Sequence, residues 1–214
     1  MSAAQTTVTL YVDPACPWAW LTSRWLAEAA AVRPLRVVTR LFDLAEKNRE
    51  DDREDERRMK SHNAGERALR VLALAGQEHG DDAVSRVYTE IGEAHHERGE
   101  NLGELPTLRE AVRRAGFDPG LADRALADES TLEAVLAQHR QACEMGAFGV
   151  PTLCLDDQPC IFGPVVDRRV TGEEAGELWD HTAWLIHHGY FFELKRTRTH
   201  KADVGRYRMA HAAA

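Results

Sequence analysis

Asp13-Pro14-Ala15-Cys16-Pro17-Trp18-Ala19-Trp20 is the stretch whose reading decides the fold. Just before it, residues 7–12 are rich in β-formers. Just after it, Trp18, Leu21, Trp25 and Ala29 recur at helical spacing on one stripe. The hydrophobic period therefore changes across Cys16, which falls where a strand turns into the first turn of a helix. Pro17 agrees with that placement, because proline is favoured at the first helical position. Unpaired N–H groups and the positive dipole end at a helix N-terminus favour an anion, and the thiolate is the reactive form of cysteine. Cys16 is thus a candidate activated thiol. The competing reading is the small buried hydrophobe that a lone cysteine usually is. Ala19 stands where a Cys-x-x-Cys pair would carry its second thiol.

Outward from this stretch, residues 35–42 alternate as a second strand, and Pro34 marks its boundary with the preceding helix. Strand, helix and strand make a βαβ unit with parallel strands and a right-handed crossover. Residues 46–60 turn abruptly to mixed charge, which reads as a solvated helix or loop, with a mobile lid over the thiol as the functional alternative. Asn48 and His62 are the plausible polar contacts there for a ligand.

A run of helices follows. Leu69, Leu72 and Ala73 mark one that ends at His79-Gly80; Val84, Val87, Tyr88 and Ile91 mark the next. Leu105, Leu108, Ala111, Val112 and Ala115 form a third, stopped by Gly116, and Leu121, Ala122, Ala125 and Leu126 a fourth. Ser130 and Glu133 suit a capping box for a fifth, whose stripe is Leu132, Leu136, His139 and Cys143. On that stripe Cys143 is a core cysteine, with a remote resolving thiol as the alternative, and His139 is structural. His95 and His96 are adjacent, so they point to different faces of a helix, and no third ligand is spaced to join them. We expect no metal site.

The β pattern returns at residues 148–155, turns at Asp156-Asp157-Gln158-Pro159 and resumes at Cys160-Ile161-Phe162, a hairpin. Cys154 and Cys160 on its strands read as buried or half-buried thiols. Thr171 and Glu174 suit a second capping box, opening a last helix to about residue 188 with Leu178, Trp179, Thr182, Leu185 and Ile186 as its core face. Tyr190-Phe191-Phe192 reads as an apolar anchor for the C-terminus. The basic tail from Lys195 to Arg208 reads as a solvated extension, or a contact for an acidic ligand or partner.

The bulk properties exclude several classes. At 214 residues with 43% hydrophobic content, the chain suits one sizeable domain or a domain with an insertion. No apolar run approaches the roughly 18–20 residues that span a membrane. Residues 1–7 lack the basic-then-apolar pattern of a secretory signal, so cytoplasmic residence is the expectation. The formal net charge of −8 argues against nucleic acid as a partner. Four cysteines without metal-ligand spacing make neither a metal site nor a disulfide scaffold.

The stretch around Cys16-Pro17-Trp18 resembles the thioredoxin-like fold in its DsbA-type branch, and within it most resembles the actinobacterial mycothiol-dependent nitroreductases. Further matching stretches are Thr22-Ser23-Arg24-Trp25, Pro151-Thr152, Phe162-Gly163-Pro164-Val165, Gly172-Glu173-Glu174-Ala175-Gly176, Leu178-Trp179-Asp180 and residues 191–199. The resemblance implies an α/β thioredoxin-like fold with an all-helical insertion between its βαβ half and its C-terminal ββα half. Residues 1–45 would form the first half, 46–146 the insertion, and 147–214 the second half with a C-terminal extension. It also implies a cis Val150–Pro151 bond facing the cysteine. The activity implied is that of a thiol-dependent oxidoreductase, acting on disulfides or nitro-aromatic compounds. Cys16 would be catalytic, and Pro17, Trp18, Trp20, Val150, Pro151 and Asn48 would bind mycothiol or another low-molecular-weight thiol. Ala19 departs from the dithiol motif, so the specific expectation is a monothiol mechanism; the oligomeric state stays open, with a homodimer as the candidate assembly. Two alternatives stay open: a kappa-class-like glutathione transferase or isomerase, and a redox-inert thioredoxin-like binding protein.

Overall fold

A computed structural model describes residues 5–49, 56–155 and 158–205. Strand β1 (Thr6–Val12) pairs in parallel with β2 (Leu35–Leu41) and antiparallel with β3 (Thr152–Leu155), which pairs antiparallel with β4 (Ile161–Phe162). The order is β2-β1-β3-β4. Val8, Leu10 and Val12 are fully buried and Tyr11 nearly so. A central strand covered on both faces reads as a run of apolar residues, as residues 10–12 do, while Thr7 and Thr9 nearer its start are half-buried. Helix α1 (Pro17–Val32) joins β1 to β2, completing the expected βαβ unit.

Between β2 and β3 come α2 (Leu44–Lys47), α3 (Glu56–His79), α4 (Asp81–Gly92), a π-helical turn (Glu93–Glu97), α5 (Leu105–Arg114), α6 (Gly120–Ala127) and α7 (Ser130–Glu144). Stripes read from the sequence are the buried faces of α4 and α5: Val84, Val87, Tyr88 and Ile91, then Leu108, Ala111 and Val112. After the hairpin, α8 (Gly172–His187) packs along α1, where the Trp25 indole Nε1–H donates to the Ala175 carbonyl at 3.0 Å. The result is an α/β thioredoxin-like fold with its helices inserted between the two halves.

Several expectations are corrected. The buried face of α7 is Thr131, Val135, His139 and Ala142: it keeps His139 from the expected stripe but replaces Leu132, Leu136 and Cys143 by their preceding neighbours, so Cys143 is exposed. His139 is structural, as expected: its Nδ1 accepts the Asp43 N–H at 3.2 Å, and its ring packs on Phe42. Ser130 is the first residue of α7 rather than its cap. The Asp128 carboxylate accepts the Ser130 N–H at 2.9 Å in its place. Thr171 does sit at the N-cap of α8, but its side chain makes no capping bond. The core face of α8 includes Ala175 and Gly176, with Leu178 and Leu185 only partly covered.

The aromatic anchor is not an anchor: Tyr190 is 71% and Phe192 88% exposed. Cys154 and Cys160 are not thiols but a disulfide. Part of the charged segment, residues 50–55, the turn residues Asp156 and Asp157, and Arg206 and Arg208 of the tail lie outside the described residues. Among the described residues no helix is long and apolar enough to cross a membrane.

Candidate active site at the start of the first helix

Cys16 is the N-cap of α1, in extended conformation, with Pro17 at the first helical position. Its sulfur takes the role that a Ser or Asp side chain plays at other caps, accepting the Ala19 N–H at 3.5 Å. The S–H in turn donates to the Val150 carbonyl at 3.8 Å. The Val150–Pro151 bond is cis, as is Gly163–Pro164. The strand-to-helix turn and the loop entering β3 thus meet at the sulfur, so Cys16, Pro17, Val150 and Pro151 come together as expected.

The donor set is as anticipated, but the resting charge state is not. Cys16 is only 8% exposed. Burial pushes its thiol up to about 11, with the neighbouring Asp13 charge adding; the Ala19 and Trp18 N–H groups and Arg198 pull the other way. Desolvation outweighs the helix terminus, because a covered thiolate loses more hydration than two long N–H contacts return. At rest Cys16 is a thiol, not the thiolate that its position suggested.

Asp13 is the residue that sequence reasoning missed. It is fully buried, and its two carboxylate oxygens accept the Ala15 N–H at 2.8 Å and the Leu44 N–H at 2.9 Å. One side chain therefore ties the Cys16 loop to α2. Burial raises its pKa to about 7 against the pull of those two N–H groups, with Asp43 adding repulsion. The insertion closes on the same loop through Gly65 of α3, where a Cβ would lie 2.6 Å from an Asp13 oxygen and 3.1 Å from the Ala15 Cβ. The signal available was the acidic residue three before the cysteine, in a stretch whose other residues are apolar.

The remaining candidates separate. Trp18 is half-buried beside the cysteine, and the Arg198 guanidinium lies 4.9 Å over its ring. Trp20 is fully buried, stacked on His96 with centroids 5.8 Å apart and covered by Arg24 at 4.3 Å, so it offers no surface to a ligand. His96 is also functional scaffolding: its Nε2–H donates to the Pro14 carbonyl at 2.9 Å, holding the loop from the π-helical turn. Asn48 ends α2, its amide donating to the Leu44 carbonyl at 2.8 Å, and reaches the site only through the helix that Asp13 holds. Two clefts, of about 230 and 300 Å³, lie at the edge of β2 and beside α4, and no residue of the Cys16 site lines either. Among the described residues no group of three or more His, Cys, Asp or Glu is placed to hold a metal ion.

Cys154 and Cys160 lie across the β3–β4 hairpin, just after the cis-proline. Thr152 pairs with Phe162 and Leu153 with Ile161, and the same register carried one residue further sets Cys154 opposite Cys160. That pairing was open to a reading of the hairpin that counted register.

A cysteine at a helix cap, facing a cis-proline across a βαβ and ββα frame, defines a thioredoxin-like oxidoreductase, and the helical insertion sets it in the DsbA-type branch. Over residues 15–196 the chain matches the model described as mycothiol-dependent nitroreductase Rv2466c, and it belongs to this Rv2466c-like family. It is 31% identical over 199 residues to Rv2286c of Mycobacterium tuberculosis, described as uncharacterized, covering 93% of this chain and 85% of that protein. The cytosolic disulfide reductase DsbM from Pseudomonas aeruginosa, solved with GSH, shares the fold at 21% identity and TM-score 0.55, over 84% of this chain and 96% of that one. So does 2-hydroxychromene-2-carboxylate isomerase, at 18% identity and TM-score 0.60, over 83% and 94%.

Proposed function

We propose that this thiol-dependent oxidoreductase is a mycothiol-type, single-cysteine enzyme acting on small disulfides or nitro-aromatic compounds in the cytoplasm. The observation that carries the reading is Cys16 Sγ at the cap of α1, against the Val150 carbonyl, with Ala19 where a second thiol would stand. Cys16 gives up its proton and attacks one sulfur of a disulfide. A Cys16–sulfur bond forms, the disulfide bond breaks, and the departing thiolate takes a proton. A second small thiol from solution then attacks the mixed disulfide, releasing Cys16 and a new disulfide. For a nitro compound, each two-electron step converts two thiols into one disulfide. The Ala19 N–H supports the sulfur's charge, Pro17 fixes the cap, Trp18 offers a flat apolar face, and Val150 presents its backbone to the sulfur-bearing partner.

The site fits a small thiol in that an acceptor carbonyl and a half-buried indole flank the sulfur. With its thiol pushed up to about 11 by burial, Cys16 must give up its proton before it can attack. The same feature favours a second reading, an isomerase or transferase in which a bound small thiol does the chemistry and Cys16 stays protonated.

Exposure to mycothiol disulfide followed by intact-mass and peptide mass spectrometry separates these. The single-cysteine enzyme yields one adduct, on Cys16, absent in Cys16→Ser. A disulfide between Cys16 and Cys143 overturns the monothiol scheme. An unmodified Cys16 alongside binding of the reduced thiol favours the isomerase.

A further inference from the structure

The tail beyond α8 does not simply trail into solvent. At Asp167, in the loop after β4, it is pinned twice: the Asp203 N–H donates to the Asp167 carbonyl at 2.7 Å, and His200 Nε2 meets the Asp167 carboxylate at 2.5 Å. Val204 packs against the core beyond those contacts. Residues 195–204 therefore run as a strap fixed at its far end, and on the way Arg198 lies over the Trp18 ring. Arg198 is exposed, and among the described residues no carboxylate pairs with it. A guanidinium placed by stacking and left without a counter-ion is available to whatever negative charge forms next to it.

We propose that Arg198, carried on this strap to the mouth of the site, is the counter-charge of the Cys16 thiolate and a positioning residue for its reaction. The charges that reach Cys16 are those of Asp13 on its own loop, Tyr88 from α4 and Arg198, which lies over the neighbouring Trp18 ring. His96, from the π-helical turn, faces Pro14. Charge on Asp13 or Tyr88 opposes the thiolate, whereas Arg198 favours it. The inference rests on the reading of Cys16 as the nucleophile. It differs from that reading in placing part of the nucleophile's activation 182 residues downstream in the chain, on a segment outside the thioredoxin-like frame.

Alkylation with a charged and an uncharged reagent tests it without any small-thiol substrate. Iodoacetate and iodoacetamide rates are measured at Cys16 by peptide mass spectrometry, with exposed Cys143 as internal control. Arg198→Gln removes the charge, and Arg198→Lys keeps it. We expect Arg198→Gln to lower the iodoacetate-to-iodoacetamide ratio at Cys16 about two- to fivefold, the size of one exposed charge, and to move the pH profile of both rates upward. Arg198→Lys holds both, and the Cys143 ratio is unchanged throughout. An unchanged Cys16 ratio in Arg198→Gln, or an equal fall in Arg198→Lys, overturns the counter-charge role and leaves the proposed function standing. A Cys16 that no reagent modifies in the wild type overturns both.

Discussion

Asp13 shows how one side chain governs both stability and chemistry here. Its carboxyl holds a proton up to about pH 7 in the folded chain, against an ordinary value of 3.8. Between those values the folded state carries a proton that the unfolded chain has lost, so stability is full below pH 3.8 and falls as pH rises towards 7. We expect Asp13→Asn to flatten that fall. Relative to the wild type it gains on the order of a few kcal/mol between pH 4 and 7, on top of a constant cost for facing an amide to a backbone N–H. Denaturant titrations at four pH values read the slope, and parallel lines for the two proteins would assign the titration elsewhere. The same variant lets Cys16 ionise at lower pH, and the gap opens only above about pH 7, where wild-type Asp13 is charged. The cysteine's place was legible because strand period, cap and Pro17 are all local signals. Its protonation state was not, because burial is set by the insertion and the cis-proline loop, which arrive from distant sequence.

At the scale of elements, the helical insertion is what makes this thioredoxin-like site its own. Where α4 passes into the π-helical turn, Gly92 lies against the Trp20 ring so closely that a Cβ would sit 2.2 Å from Cε3. Trp20 is fully buried and cannot step aside, so Gly92→Ala forces α4 off α1 and withdraws His96 from Pro14. Overpacking of this kind costs about 1–3 kcal/mol, and the upper end is expected here, read from the urea midpoint. Cys16 alkylation should change in the same variant, since the loop loses its His96 tether. The stripes of α4 and α5 were readable because apolar residues there follow the helical period without rivals. On α7 the sequence offered Leu132 and Leu136 against Thr131 and Val135. Both sets share His139, so its bond to the Asp43 N–H does not separate them, and the period alone left the face open.

For the whole molecule, the parallel βαβ unit and the later hairpin followed from where the β pattern stops and returns, and the insertion between the halves from the family resemblance. The order β2-β1-β3-β4 came only with the structure. So did the path of the tail, since a stack on Trp18 and a pin at Asp167 leave no repeating pattern in basic, exposed residues. The cystine belongs to this scale as well, because it closes the hairpin that completes the sheet. With a separation of six residues, its loss should cost about 2 kcal/mol. Thermal unfolding of a Cys154→Ala, Cys160→Ala double variant checks this, and added reductant should lower the wild-type Tm but not the variant's.

Cys160 is half-buried, so small reductants reach the edge of that bond from the same solution that feeds Cys16. A turnover curve drawn against reductant concentration would then superpose two titrations, one of catalytic supply and one of hairpin opening. The double variant reports the first alone. Any downturn at high reductant that it lacks would mark the point where the enzyme's own fuel begins to unfasten its sheet.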